Sequence, residues 1–159
     1  MVRERRGATR SALTPFADSS ALVKLYADEP HASQVRDLEV VVVSQLARVE
    51  IPAAVWLKHR IGVLAREQAE VLVQQFEADY RGEEGGEITF DVIRVDEPVL
   101  ARAARLAGSR GLRAYDAVQL ATALTAHEKV DEVDAFACFD DQLRQAAAAE
   151  SLEVWPSEL

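Results

Sequence analysis

The chain has 159 residues, 49% of them apolar, and a formal net charge of −9. That length and composition support one substantial core and exclude global disorder, while an evenly spread charge of this sign would disfavour a nucleic-acid surface. A single cysteine, Cys138, excludes an intrachain disulfide framework and a zinc knuckle, and fits a reducing, cytoplasmic setting.

The charge is unevenly spread. Residues 1–12 read as a flexible basic arm, with Arg3, Arg5, Arg6 and Arg10 against Glu4. Residues 13–159 read as one domain. No apolar segment of signal-peptide length precedes Asp18, and the runs 40–43 and 51–57 are too short to cross a bilayer. Residues 13–17 form a short apolar run, read as a buried strand. Asp18-Ser19-Ser20 then precedes a helix over 21–26, and a second short helix covers 32–38. The β-branched run Val40 to Val43 predicts a fully buried strand. Ser44 is expected to cap a helix reaching about Ile61, with Leu46, Val49, Ala53 and Leu57 on its apolar face and Pro52 bending it near Glu50. Another amphipathic helix spans 66–80, followed by a Gly- and Glu-rich loop over 81–86. A strand is expected over 88–95, and Asp96-Glu97-Pro98 is a helix start. Gly108 to Gly111 breaks that helix. The stretch 112–124 reads as the next one, with Ala117, Leu120, Ala121 and Leu124 on one buried face. A strand over 134–138, a helix over 142–149 and an edge strand over 152–155 complete the pattern. Strands alternating with helices predict an α/β fold: three layers, α/β/α, around a parallel sheet.

Four acids fall in equivalent places. Asp18 and Asp140 each follow a strand and precede a helix, Asp116 stands at a helix start, and Glu50 is near the start of a helix that follows a strand. Such positions ring the crevice at the carboxyl ends of parallel strands. Taken singly, each acid is a plain capping or helix-start residue. Together they raise one another's pKa, and a hard divalent cation, Mg²⁺ or Mn²⁺, relieves that. The chemistry suited to such a site is phosphodiester hydrolysis.

Phe-Ala-Asp18-Ser-Ser-Ala-Leu-Val-Lys-Leu-Tyr, Ser-Gln-Leu-Ala-Arg-Val-Glu50, Leu-Arg-Ala-Tyr-Asp116-Ala-Val-Gln-Leu-Ala-Thr-Ala-Leu and Phe-Asp140 together resemble the PIN domain, more narrowly the VapC-type toxins of toxin–antitoxin pairs. The resemblance runs from about Pro15 to Trp155. It implies a Mg²⁺- or Mn²⁺-dependent ribonuclease acting on RNA, with Asp18, Glu50, Asp116 and Asp140 as metal-binding catalytic acids. It also implies a cognate antitoxin that blocks the site, and a homodimer. Ser20 matches a small hydroxyl residue that supports the first acid. Cys138 stands where a Thr or Ser is usual, two before the fourth acid, so that corner lacks a hydroxyl, and Asp141 is an adjacent candidate for its acid. A PIN-like RNA- or partner-binding module without catalysis is the alternative. A phosphotransfer enzyme of the haloacid-dehalogenase type would need Asp-x-Asp, and Asp18 is followed by two serines.

Arg113 and Lys24 lie close to the acids in sequence and are candidate phosphate contacts, against a plain reading as solvated charges. The arginines of 94–113 read as solvated helix faces more readily than as an RNA strip. His31, His59 and His127 share no zinc-like spacing, and Trp56 and Trp155 are expected to pack rather than stack on bases.

Overall fold

The computed structural model describes residues 13–84 and 88–159. The expected basic arm, 1–12, and part of the 81–86 loop lie outside the described residues. In chain order the elements are β1 (Pro15–Ala17), α1 (Ser19–Tyr26), α2 (Ala32–Arg36), β2 (Val40–Ser44), α3 (Ala47–Arg60), α4 (Arg66–Arg81), β3 (Thr89–Ile93), α5 (Glu97–Arg110), α6 (Ala114–Lys129), β4 (Ala135–Ala137), α7 (Asp141–Ala149) and β5 (Val154–Trp155).

The five strands form one sheet, parallel at every pairing, in the order β3-β2-β1-β4-β5. Side chains alternate across it, as a period of two requires. Phe16, Val42, Phe136 and Cys138 join a core with α5, α6 and α7. Ala17, Val41, Val43 and Ala137 face the other way, against α1, α3 and α4. The expected α/β/α layering follows directly. Tyr26 and Phe76 meet edge to face at 5.6 Å, and the Tyr26 hydroxyl donates to Oδ2 of the buried Asp79 at 2.7 Å, pinning α1 to α4.

Four local expectations change. The helix after β2 buries Ala47, Ile51 and Val55 rather than the expected Leu46, Val49, Ala53 and Leu57, and Val49, Ala53 and Leu57 are exposed. Ser44 does not cap a helix; it ends β2, and its Oγ accepts from the Leu46 N–H at 3.2 Å, so α3 opens at Ala47. The helix before the predicted break runs through Gly108 to Arg110 and stops at Gly111, whose φ of 65° is the left-handed conformation that terminates helices. A glycine inside a helix costs only about 1 kcal/mol, which the packing against α6 outweighs. Finally, α6 begins at Ala114 and is buried on more than one face: Gln119, Thr122 and Thr125 are buried along with Ala117, Leu120 and Ala121. It lies between the sheet, α5 and α7, and its small Ala and Thr side chains allow that close approach. Among the described residues, no helix is long and apolar enough to cross a membrane.

Candidate active site

The strand order reverses between β1 and β4, because the chain runs outward from β1 to β3 and then returns to the other side of β1. Parallel sheets open a crevice at such a point. Asp18 sits there. Its N–H donates to the Ala137 carbonyl at 3.1 Å, extending the β1–β4 ladder, and its side chain caps α1 by accepting from the Ala21 N–H at 3.3 Å. The Ser20 hydroxyl donates to the same carboxylate at 2.7 Å and accepts from the Phe139 N–H at 2.8 Å, which ties the segment after β4 to α1.

Across the same seam, Asp140 caps α7 by accepting from the Leu143 N–H at 2.9 Å. Cys138 is fully buried beneath it. The thiol donates to Asp18 Oδ2 at 3.5 Å, and the sulfur accepts from the Asp140 N–H at 3.4 Å. The place of the usual hydroxyl is therefore taken by a group that both donates and accepts. Asp116 is in the first turn of α6 and accepts from Arg113 Nε at 2.9 Å. Glu50 is in the first turn of α3, and its Oε2 accepts from Gln119 Nε2.

Asp18, Glu50, Asp116 and Asp140 line one cleft of about 460 Å³, with Ser19, Ser20, Val49, Arg113 and Tyr115 among its other walls. Asp141 is exposed and is not among those walls. Arg113 reaches the mouth with its side chain 78% exposed. Lys24 is elsewhere: buried, 3.1 Å from Glu29 and 4.7 Å above the Phe139 ring. Arg102 and Arg110 are held by Glu128 and Glu150. His59 and His127 turn Nδ1 toward backbone carbonyls, His31 lies against Phe139, and Trp56 and Trp155 pack on His59 and Phe139.

Burial is the main force raising the Asp18 pKa to about 6; Asp116 adds repulsion, while Ser20, Ala21 N–H and Cys138 pull it down. Burial likewise raises Glu50 to about 7, with repulsion from Asp18 and Asp116 against hydrogen bonds from Gln119 and, more weakly, Ser19. The Cys138 thiol is pushed far up by burial and then by Asp18, so it stays protonated as a donor. Among the described residues, no three carboxylate, thiol or imidazole groups converge tightly enough to enclose an ion in this structure. The four acids instead face open space. Hard oxygen donors around the buried Asp18 and the half-buried Glu50, which repel one another, fit a hard divalent cation that keeps several waters of its own.

A PIN domain model matches residues 16–149. The chain belongs to the PIN domain family. A crystal structure of PAE2754 from Pyrobaculum aerophilum is similar in fold, with a TM-score of 0.58, 20% identity, and 91% of this chain and 86% of that one covered. No curated protein matches the sequence. PIN domains are in general nucleases acting on nucleic acid, usually with divalent metals. In this PIN domain Gln119, Tyr115 and Val49 also wall or support the cleft; none was expected there, and Val49 was expected on the buried face of its helix. A signal for Gln119 exists: it is three residues after Asp116, hence on the same side of α6, and it is polar within an apolar run.

Proposed function

We propose that this PIN domain is a Mg²⁺- or Mn²⁺-dependent endoribonuclease and the toxin of a toxin–antitoxin pair. On this reading it acts as a cytoplasmic homodimer until a cognate antitoxin blocks the cleft. The observation that carries the reading is the meeting of Asp18, Glu50, Asp116 and Asp140 on one cleft at the β1–β4 seam. Asp18 and Asp116, with Glu50 and Asp140, are the residues that would hold the metal. A bound divalent ion there offsets charge on the scissile phosphate and acidifies a water for attack.

The chain's own groups prepare this. Ser20 and Cys138 fix Asp18 from two sides. Arg113, whose exposed guanidinium is tied only to Asp116 among the described residues, can reach an RNA phosphate at the cleft mouth. A net charge of −9 works against RNA as a whole, so cations at the cleft favour productive approach. An antitoxin arginine or lysine entering the cleft would match the same acids. The hydrogen bonds made by the Cys138 thiol remove the reason for treating the fourth corner as weakened, and so favour a nuclease over a binding module.

The test is cleavage of a mixed-sequence RNA by purified protein. Activity is expected with Mn²⁺ or Mg²⁺ and not with EDTA. Asp116→Asn should lower it about 100-fold or more, since several kcal/mol of charge stabilisation are lost, while the melting temperature holds. Undiminished cleavage by a clean Asp116→Asn preparation rejects the assignment.

A further inference from the structure

Gln119 is 1% exposed, on α6, one turn beyond Asp116. Its Nε2 donates to Oε2 of Glu50, a residue 69 positions away on α3. The helix of Glu50 packs on one face of the sheet and that of Gln119 on the other, so the bond straps the two layers across the strand ends. The other amide atom, Oε1, has no hydrogen-bond partner; it is the only such buried side-chain atom among the described residues.

For stability alone this is a poor choice. An amide half-satisfied in the interior costs free energy that a leucine of similar volume avoids. What the amide offers is a donor whose character does not change with pH, aimed at one carboxylate oxygen. We infer that Gln119 is a positioning residue for metal binding. With a weaker contribution from the Ser19 hydroxyl, it holds the Glu50 carboxylate on the cleft wall and leaves lone pairs to a divalent cation. A free glutamate side chain loses several rotations when it becomes a ligand; one already held loses less. Groups that orient a metal ligand in this way account for about 10- to 100-fold in affinity. The inference rests on the cleft being a metal site, as proposed above.

The test is Mn²⁺ affinity by titration calorimetry on the full chain, without RNA. It compares wild type, Gln119→Leu, Glu50→Ala and the double variant. Gln119→Leu should weaken Mn²⁺ binding about 10- to 100-fold, while the metal-free chain keeps a cooperative unfolding transition. In the Glu50→Ala background the same change should add less than about twofold, because the residue acts through Glu50. Gln119→Met, unbranched and likewise without a donor, should repeat the loss; wild-type affinity in it would trace leucine's loss to packing and overturn the inference. Wild-type affinity in both Gln119 variants overturns the inference while leaving the metal site intact. So does an equal loss in the Glu50→Ala background, which marks a merely structural role. A wild-type chain that takes up no Mn²⁺ overturns the metal-site reading itself, and this inference with it.

Discussion

The Cys138 sulfur stands 3.5 Å from Oδ2 of Asp18 and accepts from the Asp140 N–H, so one atom joins the two acids that hang from neighbouring strands. Burial and the adjacent Asp18 charge keep it as a thiol. Alkylation by iodoacetamide at about pH 8 should therefore be slow in the folded protein and fast in denaturant, because the thiolate is the reactive form. Mass spectrometry over time reads this directly. Rapid native labelling would mean the thiol is neither buried nor bonded as described.

The same contacts predict a split between two substitutions. Cys138→Val keeps the volume but leaves the Asp140 N–H without its acceptor and Asp18 without a donor. It should lower stability by about 1–3 kcal/mol. Cys138→Ser restores both roles and should cost less. Denaturant unfolding of the two proteins makes the comparison, and equal losses would show that the thiol's hydrogen bonds contribute nothing to stability.

Glu50 makes stability depend on pH. Its carboxyl titrates at about 7 in the folded chain against 4.5 for the free group, and Asp18 at about 6 against 3.8. Between those limits the folded state binds more protons than the unfolded one, so their contribution to stability falls as pH rises through the window. The two titrate as a coupled set. In EDTA, Glu50→Gln should melt above wild type at neutral pH, and the gap should close toward about pH 4.5, where Glu50 is already protonated. A gap that does not vary with pH would show that Glu50 carries no unfavourable charge.

Metal binding should reverse that penalty. At about 100 times its dissociation constant, Mn²⁺ should stabilise the protein by about 2.7 kcal/mol. For a chain of this size that is an increase of roughly 5–10 °C in melting temperature, and EDTA should abolish it. Asp116→Asn should show most of the increase lost. Scanning calorimetry with and without Mn²⁺ decides the matter.

Much of this architecture was legible in the residues. Val40 to Val43 and the 134–138 run announced themselves by composition and flanking turns, and both are strands at the heart of the sheet. The acids were legible because each follows a strand or opens a helix, a local signal. Gln119 was not, since its meaning lies in a partner 69 residues away. Lys24 shows the opposite error, in which nearness along the chain misleads. Six residues past Asp18 is more than one and a half helical turns, so Lys24 meets Glu29 and Phe139 rather than the cleft. That α6 is buried on more than one face was hidden behind its one periodic stripe, because alanine and threonine fill several of its faces alike.

Asp18 and Cys138 are 120 positions apart, and the bond between them closes the seam between β1 and β4. During synthesis, a growing chain presents β1 and α1 long before β4 and the first turn of α7 leave the ribosome. Until then the bowl lacks a wall. A chain that stops short of β4 and α7 therefore lacks both Asp140 and the Cys138 contact to Asp18, and its cleft is open on one side.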